Sequence, residues 1–185
     1  MRIYTKKGDT GETGLLFGGR LSKTDPKFEA CGTADEAISA MGLARALSQE
    51  PRVKEVLLQV QREMFTVGSE LAPAPEKYKH FQGNFSVVTA DMVERLENII
   101  DELNSLIDLP SAFIIPGASP GSGALDLART LLRTCERRVV ALHEQGLLVN
   151  PEVLRYVNRL SDLLFMLARY EDRKLPIELV TGTQE

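Results

Sequence analysis

One stretch near the C-terminus leaves little choice of fold. After Asn150-Pro151, the residues Leu154, Val157, Leu160, Ser161, Leu164, Met166, Leu167 and Ala168 make a helix apolar nearly all round. A helix with no polar face has to be covered on every side, which places it at the centre of a bundle. Asn150 is its cap and Pro151 its first turn. Asn158 and Asp162 are polar groups inside this helix, one turn apart. If buried they need partners, so a structural hydrogen-bond pair and a functional role both stand.

The remaining periodicity supplies the covering helices. Thr33-Ala34-Asp35-Glu36 reads as a capping box that starts a helix running to about Leu47, with Ile38, Met41, Ala44 and Ala46 inward. Pro51 opens a second, marked by Val53, Val56, Leu57, Val60, Met64, Val67 and Leu71 and ended by Pro73 and Pro75. Residues 73–88 form a loop longer than usual connections. Thr89 caps a third helix with Met92, Leu96, Ile99, Ile100, Leu103 and Leu106 inward. Ser111–Gly117 interrupts the pattern and reads as a buried extended segment entering a turn, with Phe113 either in the core or at the edge of a cofactor pocket. A fourth helix runs from about Gly123 to Gln145, with Gly146 at its end. The expectation is an all-α, up-and-down five-helix bundle in a single domain of residues 1–185: an irregular Gly-rich segment over 1–32, the bundle over 33–173 and a tail over 174–185. Leu175–Val180 in that tail reads as a short strand or ordered extension.

Composition closes off several functions. A net charge of −4 gives no reason to expect nucleic acid or a membrane surface as partner. No apolar run reaches the roughly 18 residues that span a bilayer. The start, Met1-Arg2-Ile3-Tyr4-Thr5-Lys6-Lys7-Gly8, lacks the apolar centre of a signal peptide. Cys31 and Cys135 have no metal-type spacing and read as free thiols, so the location expected is cytoplasmic. His80 and His143 have no Glu three residues before them and no nucleophile elbow nearby, so di-iron, zinc and Ser-His-acid chemistry are unsupported and no metal ligands are assigned.

What remains is an anion site. On the fourth helix Leu125, Ala128, Leu132, Cys135, Val139 and Leu142 form the buried stripe. Arg129, Arg133, Glu136 and Arg137 form a second stripe about 100° round from it. Two readings are open there: a solvated charged face, or guanidiniums held at a helix seam to grip phosphate oxygens. In the N-terminal segment Gly8, Gly11, Gly14, Gly18 and Gly19 are mixed with Lys6, Lys7, Thr10, Thr13, Arg20 and Lys23. This is either a solvated, mobile start or a nest of backbone N–H groups for an anion; it is not a Walker A loop. Asp35 is either a carboxylate favoured by the helix dipole or part of a site. These parts reach as far as a polyphosphate held between a basic loop and an arginine helix, without naming an acceptor.

Three ordered motifs carry a resemblance. Tyr4–Gly11 with Gly32–Glu36 is the first. Phe113-Ile114-Ile115-Pro116-Gly117, then Ala128-Arg129-Thr130 and Cys135-Glu136-Arg137, is the second, and Tyr156–Phe165 the third. Together they resemble the ATP:cob(I)alamin adenosyltransferases of the propanediol-utilisation type over about residues 2–173. The resemblance implies transfer of the 5′-deoxyadenosyl group of ATP to cob(I)alamin, with tripolyphosphate released, by a homotrimer whose active sites lie between subunits. It implies Thr5, Lys6, Lys7, Gly8, Thr13, Gly14 and Lys23 as ATP contacts from the N-terminal segment, completed by Arg133, Glu136, Arg137 and Asn158. Arg129 would pair with Asp35 of a neighbouring subunit. Phe113 would lie on the lower face of the corrin and keep four-coordinate cob(II)alamin, the precursor of cob(I)alamin, without its lower ligand. Mg2+ would accompany ATP; a reductase and a cobalamin-dependent enzyme are implied partners. The chain departs from the family pattern at Asp126, where His is usual, at Ala118, where Gly is usual, and at Thr134, where Arg is frequent. Retention of Arg129, Arg133, Glu136 and Asn158 favours turnover, while Asp126 keeps open a non-catalytic nucleotide or corrinoid carrier. A purely structural bundle leaves the polar cluster unexplained.

Overall fold

The computed structural model describes residues 3–184, so Met1, Arg2 and Glu185, at the ends of the expected N-terminal segment and tail, lie outside the described residues. The helices are α1 Pro26–Leu47, α2 Pro51–Leu71, α3 Tyr78–Gln82, α4 Ala90–Asn104, α5 Pro120–Glu144 and α6 Pro151–Glu171. A single 3-10 turn, Pro75–Lys77, precedes α3. Two antiparallel hairpins flank them: β1 Glu12–Gly14 with β2 Arg20–Ser22, and β3 Ile177–Leu179 with β4 Gly182–Gln184.

The long helices alternate in direction. Asp126 meets Arg169 and Glu136 meets Asn158, so α5 and α6 are antiparallel. Glu63 meets Arg95 and Arg52 meets Glu102, which sets α4 antiparallel to α2. Helix α6 packs against α2, α4 and α5, and Val153, Tyr156, Val157, Leu160, Leu163, Leu164, Leu167 and Ala168 are fully buried, as its apolar girth demands. The all-α bundle is therefore the fold, with α3 an added short helix inside the long 73–88 loop.

Several boundaries differ from expectation for identifiable reasons. Thr33 is not a cap: α1 begins two turns earlier, where the Asp25 side chain accepts from Lys27 N at 2.9 Å and Pro26 sets the first turn. The Thr33 hydroxyl instead donates back to the carbonyls of Glu29 and Ala30. The early turns of α1 have something to bury. Lys27 is buried, and its ammonium donates to the carbonyls of Leu71 and Pro73 at 3.2 and 2.6 Å, closing the C-terminal end of α2. Helix α5 begins at Pro120 rather than Gly123, because Ser119 and Ser122 cap each other reciprocally. Gly121 is required there: a Cβ would stand 3.0 Å from Ser48 Cα and 2.9 Å from a Glu171 carboxylate oxygen.

Ser111–Gly117 is extended but not buried. Ile114 forms a bridge with Leu179, Ile115 N donates to Glu178 O at 2.8 Å and Val180 N donates to Phe113 O at 3.0 Å. Pairing with β3 gives the segment its conformation, so no burial is needed, and Phe113 is 85% exposed rather than core. Leu106 is also exposed, since α4 ends at Asn104 and the helical period stops with it. Asn158 and Asp162 lie at the surface of α6, so the inward reading of these two is corrected; Ser161 is the buried polar residue between them.

Candidate active site

Helix α5 carries the expected arginine row into the open. Leu125, Ala128, Leu132, Cys135 and Val139 are fully buried and fix the helix's rotation. That rotation leaves Arg129 and Glu136 half-buried and Arg133 and Arg137 exposed along the α5–α6 seam. Across the seam the Asn158 amide donates to Glu136 Oε1 at 2.7 Å, joining two of the expected site residues directly. Arg137 donates to the Thr134 hydroxyl at 2.9 Å, so Thr134 orients a guanidinium of the row. Among the described residues Arg133 has no ion-pair or hydrogen-bond partner, and its donors are free for a ligand.

Beside this row α4, α5 and α6 enclose a groove of about 690 Å³. Ile100, Phe165 and Met166 form its apolar part; Arg129 and Arg133 border it from α5, Arg159 and Asp162 from α6. An apolar floor with a few convergent polar groups is the usual make-up of a small-molecule site. A second cavity, about 590 Å³, lies beneath Ile114 and Ile115 and is lined by none of the expected site residues.

The N-terminal residues form a separate cluster. Lys6 has φ 60° and Gly11 φ 81°, left-handed positions that tighten the turn over Thr5–Gly11, whose Lys7, Asp9 and Gly11 N–H groups donate within it. Gly11 N donates to Gly8 O, and Arg20 closes the turn by donating to Lys7 O at 2.7 Å. A Cβ at Gly8 would stand 3.0 Å from the Lys23 ammonium, so Lys23 lies over the loop. Thr13 and Gly14 are on β1, paired with Leu21 and Arg20. Thr5, Lys6, Lys7, Gly8 and Lys23 are thus together. No hydrogen bond or ion pair among the described residues joins them to Arg129, Arg133, Glu136, Arg137 or Asn158.

Two other expected site residues stand apart within the chain. Asp35 is exposed on α1, in the helix's interior and not its first turn, so the dipole reading does not hold. Phe113 offers its ring to solvent on a backbone pinned by β3. Arg129 has Asp126 as its ion partner in the chain, at 3.6 Å. Both thiols are free and are poor nucleophiles: burial pushes Cys31 up to about 11 and Cys135 up to about 12.

The model of the family described as cobalamin adenosyltransferase matches residues 3–171. The chain belongs to the cobalamin adenosyltransferase family. A corrinoid adenosyltransferase of Bacillus subtilis is 42% identical over 173 residues, 91% of this chain and 86% of that protein. One from Mycobacterium bovis is 39% identical over 91% of this chain and 87% of its own length. The corrinoid adenosyltransferase PduO of Citrobacter freundii is 38% identical, and there the chain spans only 50% of the relative's length. Among solved structures, a variant of the PduO-type ATP:corrinoid adenosyltransferase from Lactobacillus reuteri, complexed with cobalamin and ATP, superposes with a TM-score of 0.88 at 32% identity, covering 98% of this chain and all of that one.

Within a cobalamin adenosyltransferase bundle, the charged residue near the site that sequence reasoning overlooked is Arg169. Arg169 pairs with Asp126, both nearly fully buried, and lines the second cavity with Ile114 and Ile115. An arginine on the apolar side of α6 and an aspartate beside the apolar stripe of α5 are the signal that a buried ion pair leaves in a sequence. Arg20 was expected only as one of the basic residues of the Gly-rich segment; that it closes the glycine–lysine turn shows only in the structure, because the hairpin that places it is too short to show a period.

Proposed function

We propose that this chain is an enzyme that transfers the 5′-deoxyadenosyl group of ATP to the cobalt of reduced cobalamin and releases tripolyphosphate. The observation that carries the reading is the row Arg133, Glu136 and Arg137 along the α5–α6 seam, with Glu136 tied to Asn158 across it, in a chain whose family match covers residues 3–171. Displacement at a saturated carbon requires alignment of the two substrates and stabilisation of the departing triphosphate; it requires no nucleophile from the protein. Guanidiniums on a rigid helix supply the second. The apolar groove floor, with Ile100, Phe165 and Met166, suits the flat face and rim of a corrin. Phe113 is the candidate for the lower face of the ring, since an aromatic side chain held out on a pinned backbone needs a partner to be covered.

On this reading Thr5, Lys6, Lys7, Gly8, Thr13, Gly14 and Lys23 form the other half of the ATP site. Their separation from the arginine row within one chain supports an active site shared between copies, in a homotrimer where the N-terminal turn of one protomer covers the α5–α6 seam of the next. Exposed Leu43 and Leu47 on α1 and Leu127 on α5 are apolar surface for such a contact. Asp35 would then reach Arg129 of a neighbour. Mg2+ enters as the counter-ion of the triphosphate, whose oxygens are the ligands this cation prefers. A reductase that delivers the electron to cobalt and a cobalamin-dependent enzyme that takes the product are the partners this chemistry calls for. No observation favours the carrier alternative.

The test is to mix the protein with ATP and chemically reduced cobalamin and follow formation of the cobalt–carbon bond by absorbance. Adenosylcobalamin is the expected product; ATP binding without it would leave only the carrier reading. In the same assay Arg133→Ala is expected to weaken ATP binding by about tenfold, one charge-assisted contact, with the thermal midpoint unchanged. Loss of the fold instead would assign Arg133 a structural role.

A further inference from the structure

The buried pair Asp126–Arg169 contacts one residue on each of two walls of the groove, Arg129 and Phe165, while Arg169 itself lines the second cavity. Asp126 is 6% exposed and Arg169 7%, and a guanidinium nitrogen of Arg169 is hydrogen-bonded to Asp126 Oδ2. The other carboxylate oxygen, Oδ1, lies 3.6 Å from Arg129 Nε, on the groove's α5 wall. The Arg169 guanidinium carbon lies 5.3 Å from the ring centre of Phe165, on the α6 wall. One carboxylate therefore balances two guanidiniums, and through them it reaches the charged wall and the aromatic wall together.

The tether on Arg129 is of a particular kind. At 3.6 Å the contact is too long for a hydrogen bond, and Arg129 Nε, buried, has no other acceptor. Arg129 is held by charge alone, which fixes its direction while leaving its outer nitrogens free. Arg169 has no such freedom: its charge is buried and Asp126 is its one ion partner among the described residues. Removing Asp126 would strand it.

We infer that the buried Asp126–Arg169 pair is a positioning device for the corrinoid: it sets Arg129 and Phe165 relative to each other and thereby the shape of the α4–α5–α6 groove. This rests on the reading of that groove as the corrinoid site. Neither Asp126 nor Arg169 is among the residues assigned to ATP, and Arg129 is assigned to the contact with Asp35 of a neighbour and not to the triphosphate, so the effect is expected on one substrate.

Asp126→Asn alone leaves the Arg169 charge unpaired and is expected to lower the thermal midpoint. The decisive variant is Asp126→Asn with Arg169→Gln, which keeps two hydrogen-bonding side chains of similar size and removes both charges. Its KM for reduced cobalamin is expected to rise about fivefold or more while its KM for ATP stays within about twofold, a split that a general loss of stability does not produce. In a crystal structure of the same variant Arg129 is expected to leave the position it holds over residue 126. A folded variant with an unchanged cobalamin KM, or with Arg129 in place, overturns the inference. If the wild-type protein forms no adenosylcobalamin under the same conditions, the functional reading falls instead, and the position of Arg129 in the crystal decides the positioning role by itself.

Discussion

Glu70 is 5% exposed, and among the described residues it has no cationic partner. Its carboxylate is satisfied by donors alone: Val88 N at 2.8 Å, Asn150 Nδ2 at 2.7 Å and the Tyr78 hydroxyl. Those donors come from the approach to α4, the cap of α6 and α3, so one side chain on α2 fastens three other parts of the chain. Glu70→Ala would leave the Val88 N–H and the Tyr78 hydroxyl unpaired and the half-buried Asn150 amide with Val88 O alone, and is expected to destabilise the fold by about 3 kcal/mol, with Glu70→Gln costing less, measured by urea unfolding. Nothing in the sequence marks this residue, because a glutamate near a helix end reads as solvated. The arginine row was legible for the opposite reason: its members share one helix, and 3.6-residue spacing alone places them side by side. Phe113 lies between these cases. An apolar run looks the same whether it is buried or clamped open by a neighbouring strand, and only the pairing with β3 distinguishes them.

At the scale of elements, α1 shows how a motif and its surroundings compete. Thr33-Ala34-Asp35-Glu36 has the spacing of a capping box, yet Asp25 and Pro26 start the helix earlier and Lys27 gives the extra turns a contact with the end of α2. Asp25→Ala is therefore expected to cost about 1 kcal/mol, the usual loss for a cap. Thr33→Ala is expected to cost under about half of that, since its hydroxyl bonds carbonyls already used by the helix. Equilibrium unfolding of the two variants, measured side by side, reverses this order if Thr33 is the cap. Helices α2, α4 and α6 start where their prolines or caps indicate. The starts of α1 and α5 differ from expectation because of local caps at Asp25 and Ser119, whereas at Ser111–Gly117 the conformation is imposed by pairing with residues distant in sequence, which no local pattern records.

For the molecule as a whole, burial of weak acids makes alkaline solution hostile. Burial raises Cys31, Cys135, Tyr78 and Tyr156 above their ordinary values, with Glu70 adding to the shift of Tyr78 and Glu63 to that of Tyr156. In each case the unfolded chain loses its proton first, so the stability these groups contribute is whole below the unfolded pKa and is lost as pH rises toward the folded one. Lys27 has the opposite sign: burial lowers it, so the folded chain releases that proton first and gains as pH rises. Four groups outweigh one. Stability from urea titrations is expected to be level near pH 8 and to fall progressively above about pH 9, where thiols of an unfolded chain ionise; a rise across that range would contradict the burial described for them.

The hairpin β3–β4 ties the last described residues to the loop that carries Phe113. Val180 and Glu178 each share a backbone hydrogen bond with that loop, so its aromatic residue is mechanically in series with the end of the chain. A change in the hairpin is therefore felt at Phe113 through the backbone, and a cross-link or a strand-breaking proline in β3 is a way to load one candidate substrate contact while leaving the glycine–lysine turn alone.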